Sequence, residues 1–266
     1  MTLRTLGIVG GTGWLGGVLA RGMLTAGVVS AEDLWLSNRS GRTDGFESWP
    51  EVHFTTDNGE LVGQCGVVLL AVLPGQLAAL GIDAGDRLVV SVMAGATVAR
   101  LRAFTGAARV VRSMPTFTAE QGLSYTPWYA TPEVSAAERA RVQELLAPSG
   151  LAEQVETEDL IDVFTALTGS GPGFVAYVAE AMTMSAVRHG VDPARAERAV
   201  RQLFHGAGAH LSTSKTSPGE LAKMLLDYGG TTAAGLEVLR GSSLASDLDR
   251  AVAAAYERAK TDMTGG

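Results

Sequence analysis

The chain of 266 residues contains a single cysteine, Cys65, which excludes an internal disulfide and any metal cluster built on cysteines. It is also poor in histidine, and its four histidines lack the spacing of a metal site. We therefore expect no bound metal. The near absence of cysteine is typical of proteins in a reducing compartment, which favours the cytoplasm.

The chain also lacks an excess of positive charge. Its 21 Lys and Arg residues are outnumbered by 28 Asp and Glu residues, which gives a net charge of −7, and no basic stripe is present. We therefore expect no binding to nucleic acid. The charge-free apolar stretch over residues 5–20 is interrupted by glycines and lacks the organisation of a signal peptide, so we expect neither a leader nor a membrane segment.

Hydrophobic residues (46%) and glycines (33) are abundant, and they suffice for a large core in one or two domains. In the first part of the chain, short apolar runs that suit strands covered on both faces alternate with segments of helical period. This alternation predicts an α/β fold with a Rossmann-type, doubly wound parallel sheet over residues 1–157. The predicted strands are residues 3–10, 34–37, 66–73 and 87–93, with a fifth starting at 109–112, and the predicted helices are 14–26, 77–80 and 97–104.

Strand-like runs cease in the second part of the chain, where long segments rich in Ala, Leu, Glu and Arg take over. Asp192-Pro193 and Ser217-Pro218 each place a capping residue before a proline that suits a first helical turn. The sequence predicts an all-helical domain over residues 158–266 and, because its apolar positions would otherwise face water, a homodimer. The predicted helices are residues 160–189, 193–211, 218–227, 231–239 and 244–262.

A glycine-rich motif stands where the first predicted strand meets the first predicted helix. In this GxGxxG, Gly11 permits a tight turn, Gly13 lets the backbone approach a pyrophosphate, and Gly16 lets the helix pack on the strand. The N–H groups and the dipole of the helix N-terminus attract phosphates. The alternative is a plain glycine turn between a strand and a helix. The cofactor-binding residues predicted here are Gly11, Thr12, Gly13, Trp14 and Leu15.

The end of the second predicted strand lacks the carboxylate that would bind the ribose of NAD. It has Asn38, Arg39 and Ser40 instead, which can hold a 2′-phosphate, so we expect NADP(H) as the preferred cofactor and NAD(H) as the second choice. A solvated loop arginine is the other interpretation of Arg39. Later strand ends should complete the crevice. The candidates there are Ala71, Val72, Leu73, Pro74, Ala94, Met114, Pro115 and Thr116.

Two glycine-rich motifs in the helical half are candidates for the substrate site. Residues 165–174 (TALTGSGPGF) place glycines and a proline in an apolar helical segment, which predicts a kink or a close backbone contact. Residues 227–232 (DYGGTT) lie where two predicted helices meet, and the first N–H groups of the second helix can form a nest for an anion or a polar ligand. An ordinary helix–helix turn is the alternative for this second motif.

With these motifs the chain resembles the pyrroline-5-carboxylate reductase family, which reduces a cyclic imine to proline with NAD(P)H. The resemblance implies a dinucleotide domain and a helical domain that interleaves with that of a second copy, with the active site at the dimer interface. It also implies that Thr232 hydrogen-bonds the imine nitrogen, that Gly229, Gly230 and Thr231 hold the substrate, and that Thr168 contributes. The resemblance is carried by residues 165–174, 229–232, 234–236 and 253–258, by Ala94-Gly95 and by residues 112–115.

The chain departs from the family pattern at several positions. A Ser-Pro pair before the two glycines is Asp227-Tyr228 here, and Asp227 would repel a substrate carboxylate. A family lysine is Leu73, an asparagine is Thr116, and the asparagine of the glycine loop is displaced by Trp14. These changes predict an altered imine substrate, in a specialised pathway, with true pyrroline-5-carboxylate reduction as the alternative.

Reducing C=N requires a hydride on carbon and a proton on nitrogen. The proton can come from bound water, or from Asp227 or Tyr228 as a general acid, if burial raises the pKa of Asp227. There are two alternatives for Asp227. It could pair with a cationic imine or amine, or it could be a solvated residue at a helix end.

Other classes of protein fit the sequence less well. A β-hydroxyacid dehydrogenase needs a lysine on the first helix after the dinucleotide domain, and residues 160–187 contain no Lys, Arg or His. A reductase that passes hydride between a deazaflavin and NADP shares the glycine turn and stays a minor alternative. The non-enzyme alternative is an NADP(H)-binding regulator with a changed pocket.

Overall fold

The computed structural model describes residues 3–261. An eight-stranded sheet has the order β3-β2-β1-β4-β5-β6-β7-β8, in which every neighbouring pair is parallel except β6 and β7. The predicted α/β fold with a doubly wound sheet is confirmed. The strands are β1 (Leu6–Val9), β2 (Leu34–Ser37), β3 (His53–Thr55), β4 (Val67–Leu70), β5 (Leu88–Ser91), β6 (Val110–Ser113), β7 (Ser124–Ala130) and β8 (Gly150–Gln154).

The central strands are buried on both faces, and this explains their unbroken apolar sequences. Successive side chains of a strand point to opposite faces of the sheet. Leu6 and Ile8 of β1 therefore join one apolar cluster, whereas Val9 joins the cluster on the other side. Each fully buried Leu, Ile or Val stabilises the fold by about 1.5–3 kcal/mol before the entropy of ordering is counted.

Helices flank the sheet and connect its parallel strands. Three of them have side-chain caps: Asp57 accepts the N–H groups of Gly59 and Glu60, Thr97 accepts the N–H of Arg100, and Ser135 forms a capping box with Glu138. The helices of this part are α1 (Trp14–Thr25), α2 (Asn58–Gln64), α3 (Val98–Thr105), α4 (Ala136–Leu146) and α5 (Asp159–Phe164).

Some predicted elements are wrong or incomplete. The helix predicted at 77–80 is a 3-10 helix, Pro74–Ala79, which begins at the proline. The single helix predicted over 160–189 is broken into α5, a π-helical turn (Thr165–Gly169) and α6 (Gly171–Arg188), because the Gly-Ser-Gly-Pro sequence cannot continue a regular helix. Strands β3, β7 and β8 and the helices α2 and α4 were absent from the predicted set.

The chain divides into two compact units. The first consists of residues up to Gly169 together with the chain from Ala255 onward, and the second is Ser170–Ala254. The first unit includes α5 and therefore extends past the predicted boundary at residue 157. The division into domains 1–157 and 158–266 stays a prediction.

The second unit is entirely helical in its regular elements, as predicted. Asp192 caps α7 by accepting the N–H of Arg195 at 3.0 Å, and Ser217 forms a capping box with Glu220 at α8. The last helix ends at Lys260, and its predicted end at residue 262 lies outside the described residues. The helices are α6, α7 (Pro193–Thr213), α8 (Pro218–Tyr228), α9 (Gly230–Arg240) and α10 (Leu244–Lys260), which runs into the first unit.

Large apolar side chains of the second unit are exposed within the single chain. In α6 no residue is buried, and in α7 only Ala196 and Val200 are. No helix of the described residues is long and apolar enough to cross a bilayer. The exposed apolar side chains of this unit include Val175, Tyr177, Met182, Met184, Leu203, Leu211, Met224, Leu225, Val238 and Leu239.

Candidate functional site

The turn after β1 is built from glycines that approach neighbouring backbone closely. Gly10 has a φ of +81°, and the N–H groups of Gly10 and Gly11 both donate to the carbonyl of Ser37, at 2.9 and 3.1 Å. A Cβ on Gly16 would lie 2.3 Å from the carbonyl oxygen of Gly10. Glycine at position 16 thus lets α1 pack directly on the turn, which is the role that the motif predicted.

The N-terminus of α1 opens onto a cavity. Its N-cap is Gly13, which has no side chain to accept the first N–H groups of the helix. Those groups and the positive end of the helix dipole suit a pyrophosphate. A Cβ on Gly13 would stand 3.1 Å from the carbonyl oxygen of Gly10, so glycine also keeps this approach open. The local backbone therefore fits the phosphates of a dinucleotide.

The cavity runs along the carboxyl ends of the parallel strands and has a volume of about 910 Å³, in the range of cofactor sites. Gly11 is buried against Leu36 and does not line it, so its part in the site is to shape the turn. The predicted cofactor residues that do line the cavity are Thr12, Gly13, Trp14, Leu15, Asn38, Arg39, Ser40, Ala71, Val72, Leu73, Pro74, Ala94, Met114, Pro115 and Thr116.

Asn38 organises the loop after β2. Its side-chain oxygen accepts the N–H groups of Ser40 and Arg42 at 3.1 and 3.0 Å and the hydroxyl of Ser40 at 3.1 Å, and its amide donates to the carbonyl of Arg42 at 2.8 Å. Both Arg39 and Arg42 line the cavity beside this loop, and Arg42 is ion-paired with exposed Asp44. The loop thus brings two arginines to the cavity, and guanidinium groups suit a 2′-phosphate.

Several lining residues were missed by sequence reasoning. Arg42 lies in a loop without a motif, and its only signal was its spacing from Arg39. Asn58 begins α2, a helix that was not predicted, and there it accepts the hydroxyl of Ser37 at 2.8 Å and donates to the carbonyl of Leu80. Thr56, Gln76, Met93, Phe117 and Gly169 also line the cavity.

The rim of the cavity carries apolar groups. Trp14, Leu73 and Phe117 are 56%, 70% and 55% exposed. Thr116 is buried, and its hydroxyl lies 2.6 Å from that of Thr118, so it belongs to a local network as well as to the lining. The cavity therefore offers polar groups at the loop after β2 and apolar groups along its rim.

In the second unit, the predicted substrate loop joins α8 to α9. Gly229 and Gly230 have φ values of +83° and +77°, a conformation that favours glycine and that leaves the first N–H groups of α9 without a side-chain cap. Thr231 and Thr232 are exposed in the first turn of α9. This geometry fits the predicted polar nest.

Asp227 is ion-paired with Lys223, one turn back along α8, and its side chain is 59% exposed. Tyr228 is 90% exposed. Within the chain, Asp227 therefore lacks the burial on which the general-acid hypothesis depends. Thr168 lies in the first unit, where its hydroxyl donates to the carbonyl of Phe164 at 2.8 Å.

Cys65 has no role in this site. Burial raises the pKa of its thiol to about 12, so it is protonated and unreactive at neutral pH. Within residues 3–261, no group of three or more His, Cys, Asp and Glu side chains is placed to hold a metal ion.

A glycine turn, an uncapped helix N-terminus and a cavity along the ends of parallel strands define a dinucleotide-binding protein of the Rossmann class. Two family models match this chain. The model described as NADP oxidoreductase, coenzyme F420-dependent, matches residues 5–95, and the model described as pyrroline-5-carboxylate reductase dimerisation matches residues 158–262.

Several relatives that match over most of the chain are named pyrroline-5-carboxylate reductases. The pyrroline-5-carboxylate reductase of Synechocystis sp. is 30% identical over 96% of this chain and 97% of its own length. A solved structure of this reductase from Coxiella burnetii has a TM-score of 0.88 at 27% identity and covers 97% and 98% of the two chains. The Plasmodium falciparum pyrroline carboxylate reductase, solved with NADP bound, has the same fold, with a TM-score of 0.80 at 24% identity over 98% of each chain.

The chain belongs to the pyrroline-5-carboxylate reductase family, as the resemblance indicated. As a member, it is an NAD(P)H-dependent oxidoreductase that acts on C=N bonds. The family model described as coenzyme F420-dependent, a deazaflavin, matches only within the first unit. The glycine turn of that region is common to many dinucleotide-binding proteins.

The contact of α1 with the glycine turn can be tested by a single methyl group. In Gly16→Ala the new Cβ meets the Gly10 carbonyl, so α1 must shift, and we expect a loss of about 1–3 kcal/mol in stability and at least a tenfold weaker affinity for NADPH. Gly22→Ala is the control in the same helix, because its Cβ would lie 3.7 Å from its nearest neighbour, in Pro148. Thermal unfolding and fluorescence titration with NADPH measure both effects, and equal behaviour of the two variants would contradict the assignment.

Proposed function

We propose that this protein reduces a cyclic imine to the amine with NADPH. The observation that carries the proposal is the match of the whole chain, dinucleotide unit and helical half together, to pyrroline-5-carboxylate reductases. The cavity along the strand ends supports it, because its volume and its glycine turn suit a dinucleotide.

NADPH supplies the hydride that adds to the imine carbon. The nitrogen must then gain a proton, and it needs a hydrogen-bond partner that holds the C=N group in place. We assign that contact to the Thr232 hydroxyl, with Gly229, Gly230 and Thr231 around the substrate. Because Asp227 is exposed and ion-paired, we favour bound water over Asp227 or Tyr228 as the proton source.

The preference for NADP(H) is assigned to the loop after β2. Arg39 and Arg42 both line the cavity, and the Asn38 hydrogen bonds fix the backbone between them. Arg42 is bound to Asp44 on the surface, an exposed pair that is worth at most about 1 kcal/mol and is readily exchanged for a phosphate.

Pyrroline-5-carboxylate is the first candidate substrate. The main objection from the sequence was repulsion between Asp227 and a carboxylate, but Lys223 balances that charge, so the pair contributes no net charge beside the loop. The side chain of Lys223 is 71% exposed and can turn from Asp227 to a substrate carboxylate at little cost.

A carboxylate-free or bulkier imine is the second candidate, and the apolar rim favours it. Leu73 and Trp14 replace polar groups of the family pattern and stand exposed at the cavity. Such a substrate would place the enzyme in a specialised pathway, whereas pyrroline-5-carboxylate would place it in proline biosynthesis.

We also propose a homodimer in which the C-terminal helices of two copies interleave. The second unit leaves large apolar side chains of α6, α7 and α9 in water within one chain, and burying each fully is worth about 1.5–3 kcal/mol.

A buried, reduced Cys65 suits a reducing compartment, and we infer the cytoplasm.

Removing either arginine of the loop after β2 should weaken the binding of NADPH but not that of NADH. For Arg39→Gln and Arg42→Gln we expect the Kd of NADPH to rise about 10- to 100-fold each, since a charged hydrogen bond is worth about 1.5–3 kcal/mol, with little change for NADH. Arg201→Gln on α7 is the control. Isothermal titration with both cofactors measures the ratio, and an unchanged NADPH-to-NADH ratio in both variants would refute the assignment.

The rate of NADPH oxidation distinguishes the two substrate candidates when it is measured with pyrroline-5-carboxylate, a piperideine carboxylate and 1-pyrroline. Lys223→Gln removes the positive charge, so it should raise KM several-fold for imines that carry a carboxylate and leave the KM for 1-pyrroline unchanged. Asp227→Asn removes the repelling charge, so it should lower KM for the imines that carry a carboxylate. Lys215→Gln, an exposed lysine of the same unit, is the control.

Turnover of 1-pyrroline alone would favour the second candidate. No turnover of any imine, with NADPH binding intact, would contradict imine reduction and restore the regulator hypothesis.

The dimer is tested by light scattering on the intact protein. We expect twice the mass of one chain, and for Val238→Glu, which places a charge on the apolar surface of α9, a shift towards monomer. Leu151→Glu, at a similarly exposed position on β8, should leave the mass unchanged. A monomeric wild-type protein would overturn the proposal.

A further inference from the structure

Arg112 carries a positive charge into the core of the first unit. Only 2% of its side chain is exposed, and its two terminal nitrogens bind Asp162 at 2.5 Å and Glu158 at 3.2 Å. Its Nε is buried and has no hydrogen-bond partner among the described residues. A buried charge is tolerated only where partners are held in place, so the three side chains, here called the arginine triad, form a rigid connection.

The triad joins three segments that lead to the cavity. Arg112 is in β6, which continues directly into the lining residues Met114 and Thr116. The Glu158 carboxylate also accepts the N–H of Val98, the first residue of α3, at 2.8 Å, just after the loop that contains Ala94. Asp162 is in α5, which runs into the π-helical turn. All three connections lie within the first unit.

A π-helical turn, Thr165–Gly169, lies between α5 and α6. Such turns are rare and are often found at functional sites. The hydroxyls of Thr165 and Thr168 donate to carbonyls one turn back, at 2.7 and 2.8 Å. At the end of the turn, Gly169 lines the cavity, and a Cβ built on it would lie 3.7 Å from Cε of Met114. The turn therefore closes one wall of the cavity against Met114.

This wall stands away from the loop that suits the 2′-phosphate. In a doubly wound sheet, a dinucleotide spans the carboxyl edge with its adenosine over one half and its second nucleoside over the other. Asn38 and Arg39 follow β2, on one side of β1, whereas Met114 follows β6, on the other. The wall of Gly169 and Met114 is thus at the nicotinamide end.

We infer that Arg112 is a positioning residue for the nicotinamide. Through Asp162 and Glu158 it fixes the π-helical turn and the loop after β6 against each other, and so it sets the wall on which the nicotinamide ring rests. The inference builds on the proposed NADPH-dependent reduction. It concerns orientation, because Arg112 does not line the cavity.

The test compares Arg112→Met with Arg109→Gln. Arg109 precedes the same strand and is ion-paired with buried Glu138 of α4, away from the cavity, so its loss should cost stability without moving the wall. In Arg112→Met we expect kcat to fall about 100-fold, the effect of misplacing a reacting group by about 1 Å. KM for the imine should change little, and Arg112→Lys should recover part of kcat.

A second readout is independent of turnover. The fluorescence lifetime and emission maximum of bound NADPH report the surroundings of the nicotinamide, and we expect both to shift in Arg112→Met and to stay unchanged in Arg109→Gln. The Kd of 2′,5′-ADP, which occupies only the adenosine end, should stay within about twofold in both variants. If Arg112→Met does not fold, Asp162→Asn replaces it, because it keeps the size of the side chain and removes the charge.

The inference is overturned if kcat and the NADPH emission of Arg112→Met, or of Asp162→Asn in its place, match those of Arg109→Gln. It is also overturned if the loss appears equally in the Kd of 2′,5′-ADP, which would indicate a general disturbance of the unit. Absence of imine turnover in the wild type would count against the proposed function alone, since the emission of bound NADPH still tests the positioning role.

Discussion

The site depends on the close approach of α1 to the turn after β1. At Gly10 and Gly16 the two backbones come so near that a single Cβ would lie 2.3 Å from an oxygen. This contact aims the uncapped N-terminus of α1 along the carboxyl edge of the sheet, and the hydrogen bonds from the turn to Ser37 bring the loop after β2 to the same edge. The N-terminus of α1 and the loop after β2, which are the proposed sites of the pyrophosphate and the 2′-phosphate, thus share one anchor.

The parts of the fold that the sequence predicts are those in which one physical requirement dominates. β1, β4 and β5 are buried on both faces, so their apolar runs could be recognised directly. β3 and β8 were missed because they lie at the edges of the sheet with exposed side chains, and β7 because hydroxyl groups and a proline interrupt its apolar pattern. Their positions depend on pairing partners that are distant in the sequence.

The same limit applies to the site. The glycine motif and the strand-end loops are local features, and all the cofactor residues predicted from them except Gly11 line the cavity. Arg42 and Asn58 could not be found in this way, because what brings them to the cavity is the hydrogen-bonding of Asn38 and a helix with a weak sequence pattern. Lys223 was missed although its signal is local, because it precedes Asp227 by four residues on one helix, the spacing at which opposite charges pair.

Charge is handled differently in the two units, and this bears on how each can change. In the first unit, Arg112 is buried between two carboxylates, so replacing it leaves Asp162 without its ion-pair partner, and replacing either carboxylate removes one of the two groups that balance a buried guanidinium. In the second unit, Asp227 and Lys223 are exposed, and either can be replaced at small cost in stability. The loop between α8 and α9 can therefore vary while the geometry around the cavity stays fixed, because Asp227 and Lys223 carry little of the folding energy. The unusual loop of this chain is therefore compatible with an intact dinucleotide site.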